Sequence, residues 1–323
     1  MKNSKLVIGF IFLVVYTSCR QQVSVKSGKL TGINPVSYTD VVYKAELDTV
    51  LASTFDGKIY EIINGRSGRN QIAAIEDEVY SMVYDFGQDR IIVATLNSEI
   101  LVLDGETGET LRKIGLKEAW SYDLYYNEQV GILCSYDVKG NSYVWNVKDN
   151  FNTLMIPTGL KGALPRFISE DGAVYFDGVS SIHVWKYLMN EVTEIEGVKG
   201  KLIDVDHEGN CLLFSNKQFA FYSKETDDFR FQKRHPDWPM YIADRDTTIY
   251  IPLSLHLISG VLTEKHIYTC GLDKSIRKWD KLSGELIETF LQHPGTTSAV
   301  ALSEDESQLV SVDLMGEVKF WDL

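Results

Sequence analysis

The chain has 323 residues, 44% of them hydrophobic and 24% charged, with a formal net charge of −13. That balance suits a folded protein with a full core, and a single all-β domain can reach this size. Nucleic acids and anionic membrane surfaces are held by clustered Lys and Arg, and no basic run occurs, so nucleic acid is excluded as a partner.

The first element in chain order is an export signal. MKNSK supplies a positive start, LVIGFIFLVVYTS an apolar stretch, and small residues precede Cys19. The apolar run falls short of the roughly 20 residues that span a bilayer. Tyr16-Thr17-Ser18-Cys19 resembles a bacterial lipoprotein lipobox, with Tyr16 where Leu is usual. The resemblance implies cleavage before Cys19, a diacylglyceryl group on its thiol and acylation of the new amine. Several acyl chains, at about 0.8 kcal/mol per buried CH₂, hold a protein stably on a membrane. Residues 1–18 are thus read as signal peptide and 19–25 as lipidated Cys plus short tether. Residues 26–323 form one exported domain facing the periplasm or the cell exterior. The alternative is a plain signal peptide or signal anchor whose Cys is incidental.

A repeat follows. Its copies are TVLASTFDGKIYEIINGRSG, RIIVATLNSEILVLDGETGETLRKI, GILCSYDVKGNSYVWNV, AVYFDGVSSIHVWKY, HIYTCGLDKSIRKWDKLSGELIETF and QLVSVDLMGEVKFWDL. Each reads as an apolar strand, a polar turn and an alternating strand, at a period of about 40 residues, that of four-stranded propeller blades. The count of apolar-strand units gives about seven blades, with six or eight left open by the sequence, at about 34–75, 76–114, 115–156, 157–195, 196–232, 233–290 and 291–323. The last stops after its third strand. Its fourth is expected from KSGKLTGI (Lys26 to Ile33), which matches the LSGELIETF that follows Trp279-Asp280. Such a strand pins the ring shut and removes exposed edges. Blade five carries Tyr222 where other blades have Trp. The stretch from His235 to Lys265 is overlong and reads as an insertion or a hidden partial blade.

Trp279-Asp280 and Trp321-Asp322, with Trp145-Asn146, Trp185-Lys186 and Leu103-Asp104 as degenerate copies, resemble the signature of the WD-repeat family. Asp56-Gly57 and Asp273 occupy the tight-turn position where that family keeps Asp; Asp137 and Asp313 fall two residues earlier, with Gly140 and Gly316 after the turn. The resemblance implies an all-β, monomeric, seven-bladed propeller that binds a protein or peptide. The Gly-His dipeptide that opens many family repeats is missing, although His293 lies near its place, so the family's buried Asp–His–Ser–Trp network is not expected here. Trp145, Trp185, Trp279 and Trp321 read as wedge-filling core, and the turn Asp residues as acceptors for local amides.

No metal or nucleophile motif appears: there is no H-E-x-x-H, no G-x-S-x-G, no Gly-rich phosphate loop and no CxxC. Cys134, Cys211 and Cys270 lie in apolar runs and read as buried hydrophobes. Neither catalytic residues nor a cofactor is assigned. The candidate ligand face consists of residues where loops enter the innermost strands: Glu78, Tyr80, Trp120, Arg166, His235, Trp238 and His293. Trp238, between Pro236 and Pro239, reads either as an exposed anchor or as a cap on the core. The leading function is a non-enzymatic protein-binding scaffold tethered to a bacterial membrane. Two alternatives stand beside it: a propeller of the quinone-cofactor dehydrogenase type or its assembly-factor relatives, suggested by FDGKIYEI and LDGETGE, and a carbohydrate-binding propeller. Changing Cys19 to Ser should abolish incorporation of labelled palmitate; label that persists would overturn the lipoprotein reading.

Overall fold

The computed structural model describes residues 36–323 apart from 98, 117–119, 216–217 and 252–256. Cys19 and the expected closing strand from Lys26 to Ile33 lie outside the described residues. The rest is a closed ring of seven antiparallel sheets, with one further two-stranded sheet between the fifth and sixth in chain order. Each blade is a meander, with its first strand at the channel and its last at the rim. The channel strands, blades one to seven, are Tyr38–Tyr43, Val79–Asp85, Ser121–Asn127, Leu164–Ile168, Lys201–Val205, Leu257–Leu262 and Thr297–Leu302. Each touches the channel strand of the blade before and the blade after, and the seventh returns to the first. Blade seven shows three strands among the described residues, ending at Val318–Asp322. No helix among them is long and apolar enough to cross a membrane.

The hydrophobic pattern explains the layering. Second strands such as Ile132–Asp137 and Gln308–Asp313 are buried at every position because a neighbouring blade covers each face. Rim strands face water on one side, and Asp228–Arg234 accordingly alternates exposed and half-buried residues. The core is therefore seven wedges, one per junction between blades. Trp145 packs with Ile92 and Leu133, Trp185 with Cys134 and Val174, Trp279 with Phe219 and Ile267, and Trp321 with Tyr268 and Leu309. Leu103, Ile62 and Tyr222 take the corresponding places in blades two, one and five. Cys134, Cys211 and Cys270 are buried free thiols within these wedges, and burial pushes those of Cys211 and Cys270 up to about 12.

Polar stitches cross the junctions near the channel wall. Asp40 of blade one accepts hydrogen bonds from the Met82 amide (2.8 Å) and the Ser81 hydroxyl (3.1 Å) of blade two. Ser81 in turn accepts from the Leu124 amide of blade three (3.2 Å). Asp177 of blade four accepts from Leu202 (3.0 Å), and Asp204 of blade five from Leu262 (2.8 Å). Blades seven and one are joined by Ser298, whose hydroxyl donates to the Tyr38 carbonyl (2.7 Å), and by Gln308, which bonds Asp48 through both ends of its amide.

The overlong stretch before blade six contains a two-stranded hairpin, Trp238–Ile242 paired with Thr247–Ile251. Its turn repeats that of blade two. In both, a 3₁₀ turn ends in a left-handed Asp (Asp89 with φ 46°, Asp246 with φ 43°) that accepts a hydrogen bond from a tyrosine (Tyr84 or Tyr241) five residues earlier. The hairpin is thus half a blade, and the channel strands of blades five and six still meet beside it.

Asp204 gives a pH test. Burial dominates its environment and raises its carboxyl to about 7, against the hydrogen bonds from Leu262 and Val205; Asp206 adds to the rise. In the unfolded chain the group ionises near 3.9. Between those values the folded state binds the extra proton, so this group's contribution to stability falls as pH rises from about 4 to 7. Replacing Asp204 with Asn, which keeps an acceptor for Leu262, should raise stability relative to the parent progressively over that interval in denaturant titrations. A difference independent of pH would count against this assignment.

Candidate protein-binding face

The upper face is the one from which the channel strands start. Every channel strand carries a bulge against its partner. A bulge inserts a residue and re-aims its side chain. Tyr80 and Arg166 are such residues, which places both at the wall of the channel.

Arg166 is committed to the fold. Its Nε donates to Asp177 (2.9 Å), and its Nη1 to Asp123 (2.8 Å), Tyr136 (2.5 Å) and Tyr125 (3.2 Å). The guanidinium also lies 4.5 Å from the centroid of the Tyr136 ring. Lys201 of blade five reaches Asp123 at 3.4 Å, so one charged knot ties blades three, four and five. Burial pushes the Asp123 carboxyl upward, but Lys201, Tyr136 and Arg166 together outweigh it and hold it below the usual range. With its partners supplied from within the fold, Arg166 is a stitch between blades.

His235 and His293 are also interior. His293 Nδ1 lies 3.2 Å from Asp313, its Nε2 lies 2.7 Å from the Ser311 hydroxyl, and Trp321 Nε1 donates to that hydroxyl at 2.8 Å. His235 repeats the chain with Asp273 (3.0 Å), Thr269 (2.7 Å) and Trp279 (2.9 Å). An indole only donates and a carboxylate only accepts, which sets the two end bonds as indole to hydroxyl and Nδ1 to carboxylate; in a neutral ring the hydroxyl then donates to Nε2. The network not expected from the sequence is therefore present in blades six and seven, and both histidines are buried rather than displayed at the channel mouth. Burial lowers the His235 imidazole below its usual value against the pull of Asp273, so the neutral ring is favoured. Burial also works against the Asp273 charge, but His235, Arg277 and Ser275 outweigh it and lower that carboxyl.

Blade four shows the network's absence. Phe176 stands opposite His183, at the place that Thr269 and Ser311 hold in their blades, and Trp185 Nε1 is buried without a hydrogen-bond partner. In blade three Ser135 takes the hydroxyl position and bonds to the Asp123 carbonyl (2.7 Å) and to Ser121. The turn aspartates are held locally. Asp137 accepts from the Lys139 and Asn141 amides, Asp313 from those of Met315 and Glu317, and Asp56 from the Thr54 hydroxyl.

Among the residues of this face is a repeated set of apolar tips. In six blades an apolar residue stands five positions after the second-strand residue that pairs with the Trp site: Phe55, Leu96, Val138, Val179, Leu272 and Leu314. Phe55, Val138, Leu272 and Leu314 are 46%, 37%, 37% and 43% exposed, and Val179 is fully exposed. The amides of Phe55, Leu96, Val138 and Leu314 donate to the carbonyls of Ser37, Glu78, Trp120 and Thr296, which pins these tips beside the strand starts. Phe55 meets Tyr80 edge-on at 6.1 Å between centroids, and Tyr80 meets Trp120 at 5.4 Å. The Tyr80 hydroxyl donates to Glu78 (3.4 Å). Tyr80 and Trp120 thus join an aromatic ladder over blades one to three. Trp238 starts the inserted hairpin. The apolar tips were missed by sequence reasoning, although their constant spacing from the Trp site was available.

No family model matches the chain. An uncharacterised WD repeat-containing protein of Schizosaccharomyces pombe is 34% identical over 59 residues, which span 18% of this chain and 16% of that protein. A structure of U3-55K covers 87% of this chain and 89% of its own at 15% identity, with a TM-score of 0.67. The WD40 repeats of RRP9 cover 87% and 88% at 14% identity, with a TM-score of 0.68. The fold is that of a seven-bladed WD-repeat propeller.

The contrast between blades four and seven yields a prediction. Trp321→Phe removes a donor from Ser311, whereas Trp185→Phe removes a buried N–H that has no acceptor. An unmet buried donor costs about 1–3 kcal/mol, so the blade-seven variant should lose more stability than the blade-four variant by about that amount. Denaturant midpoints of the two measure it, and equal losses would refute the assignment.

Proposed function

We propose that this chain is a non-enzymatic protein-binding module that holds its partner on the upper face, and that the lipid on Cys19 keeps it at a bacterial membrane. The observation that carries the first part is the set of exposed apolar tips Phe55, Val138, Val179, Leu272 and Leu314, with half-buried Leu96, Tyr80 and Trp120 beside them. Exposed apolar groups around a rigid mouth mark interaction sites, because covering them releases water at about 25 cal/mol per Å². The WD-type fold supports the reading by analogy, and the lipobox-like Tyr16-Thr17-Ser18-Cys19 supports the anchor.

The test uses a photo-crosslinking amino acid in the full-length protein, in cells. Placed at Phe55 or Leu314 it should give one discrete protein adduct; placed at Leu188, in the turn between the last two strands of blade four, it should give none. Phe55→Ser with Leu272→Ser should weaken capture at Leu314 tenfold or more. Adducts that form equally at all positions, or capture unaffected by the double change, would remove the upper face from consideration.

A further inference from the structure

The half-blade before blade six is a sheet with an open side. It has two strands among the described residues, Trp238–Ile242 and Thr247–Ile251. A two-stranded sheet alone is marginal in water, and three or more strands with an apolar face are needed for stability. Apolar side chains of this sheet stand in solvent on both of its faces. Met240 and Ile249 lie directly opposite each other and are 43% and 40% exposed. Tyr241 and Tyr250, on the other face, are 61% and 68% exposed.

The two edges of this sheet differ. Pro239 has no N–H, so its pair with Tyr250 is one in which neither residue hydrogen-bonds the other. The alternation of the ladder then turns the backbone groups of Thr248 and Tyr250 toward the free edge of the second strand. The free edge of the first strand lacks a donor at Pro239. Sheet edges are commonly guarded against other chains by charge or by brevity. Among the described residues the outer strands of the seven blades follow that rule. Arg69–Ala74, Thr110–Ile114, Glu191–Glu196, Asp228–Arg234, Leu286–Phe290 and Val318–Asp322 all carry ionic side chains, and Asn152–Thr153 has two residues. Thr247–Ile251 does not follow it: TTIYI is β-branched and aromatic, without a charge.

We propose that this edge pairs with the same edge of a second copy of the chain. Two strands from each copy make the four of a complete blade. A two-fold pairing needs a strand that is complementary to itself, and TTIYI brings no like charges together. The outward groups of Thr248 and Tyr250 set the register: antiparallel, with Ile249 opposite Ile249 on the two-fold axis, and Thr248 of each copy exchanging N–H···O bonds with Tyr250 of the other. All five residues of the strand are then paired. One face gains an unbroken row of Met240, Ile249, Ile249 and Met240. On the other, Thr248 of each copy lies between its own Tyr241 and the second copy's Tyr250, a favourable Thr–aromatic arrangement. One strand pair is small beside a standard interface of about 1,600 Å², so the association is reversible. It uses none of the upper apolar tips, and the two readings fail independently.

A disulfide scan in the full-length protein tests the register. Residues opposite each other in a non-hydrogen-bonded antiparallel pair have Cα atoms about 4.5 Å apart, within disulfide reach. Ile249→Cys should therefore give a reducible dimer of twice the chain mass on mild oxidation. The parent chain, whose described cysteines are buried, is the blank. Tyr241→Cys, at a more exposed but off-axis position, should give at least tenfold less dimer. Adding Thr248→Pro to Ile249→Cys removes an outward amide and leaves the bonds between the two strands in place; it should lower the yield tenfold or more. Thr248→Lys, which puts like charges on the edge without touching the backbone, should do the same. Both copies are acidic overall, so sedimentation of the parent chain should show association strengthening as salt screens them. Equal crosslinking at Ile249 and Tyr241, or a dimer indifferent to both Thr248 variants, would overturn the proposal. So would an Ile249→Cys adduct with a different protein in place of the dimer.

Discussion

The structure depends on one geometric requirement: no blade can bury both of its faces alone. A four-stranded sheet with an apolar second and third strand exposes two hydrophobic sides, and only a neighbour on each side removes them from water. Closing the ring therefore satisfies all seven wedges together, and the Trp site is large because the gap between twisted blades widens away from the channel. At the channel wall the side chains of Asp40, Ser81, Asp177 and Asp204 reach across to meet backbone amides of the next blade. Apolar burial supplies the drive, and these bonds set the register between blades.

The two complete His-centred chains link surface to core. Each begins at a turn aspartate on the upper face and ends at an indole inside a wedge, so the shape of the turn and the packing of the blade are coupled. Their neighbours on that face, Leu272 and Leu314, stand next to the turn aspartates Asp273 and Asp313. A rigid apolar tip loses less entropy on contact than a mobile one, which is the physical advantage of presenting a binding surface on such turns.

The fold was legible because its signals repeat. Trp279 and Trp321 marked the strong copies, and the period carried the weak ones, down to Leu103 and Tyr222. Sites were less legible for two separate reasons. His235 lies 38 residues before its Asp273, against 20 for His293 and Asp313, because the hairpin intervenes; spacing alone hid the partnership. Arg166 looked like a ligand group because it stands at a strand start, yet its partners Asp123, Tyr136 and Asp177 come from three strands of two blades, and no local pattern announces that. By contrast, the aromatic pair Tyr80 and Trp120 stood out as large residues away from the Trp site, and they meet in space.

The half-blade between His235 and Asp273 carries a further consequence. Seven channel strands pass it by, and the hydrogen-bond chain that spans it closes as well as the one in blade seven, whose loop is short. The junction between blades five and six therefore accepts extra polypeptide without loss of its interior bonds. A fluorescent reporter or a small folded domain spliced in place of the hairpin would be carried as cargo by an undisturbed ring.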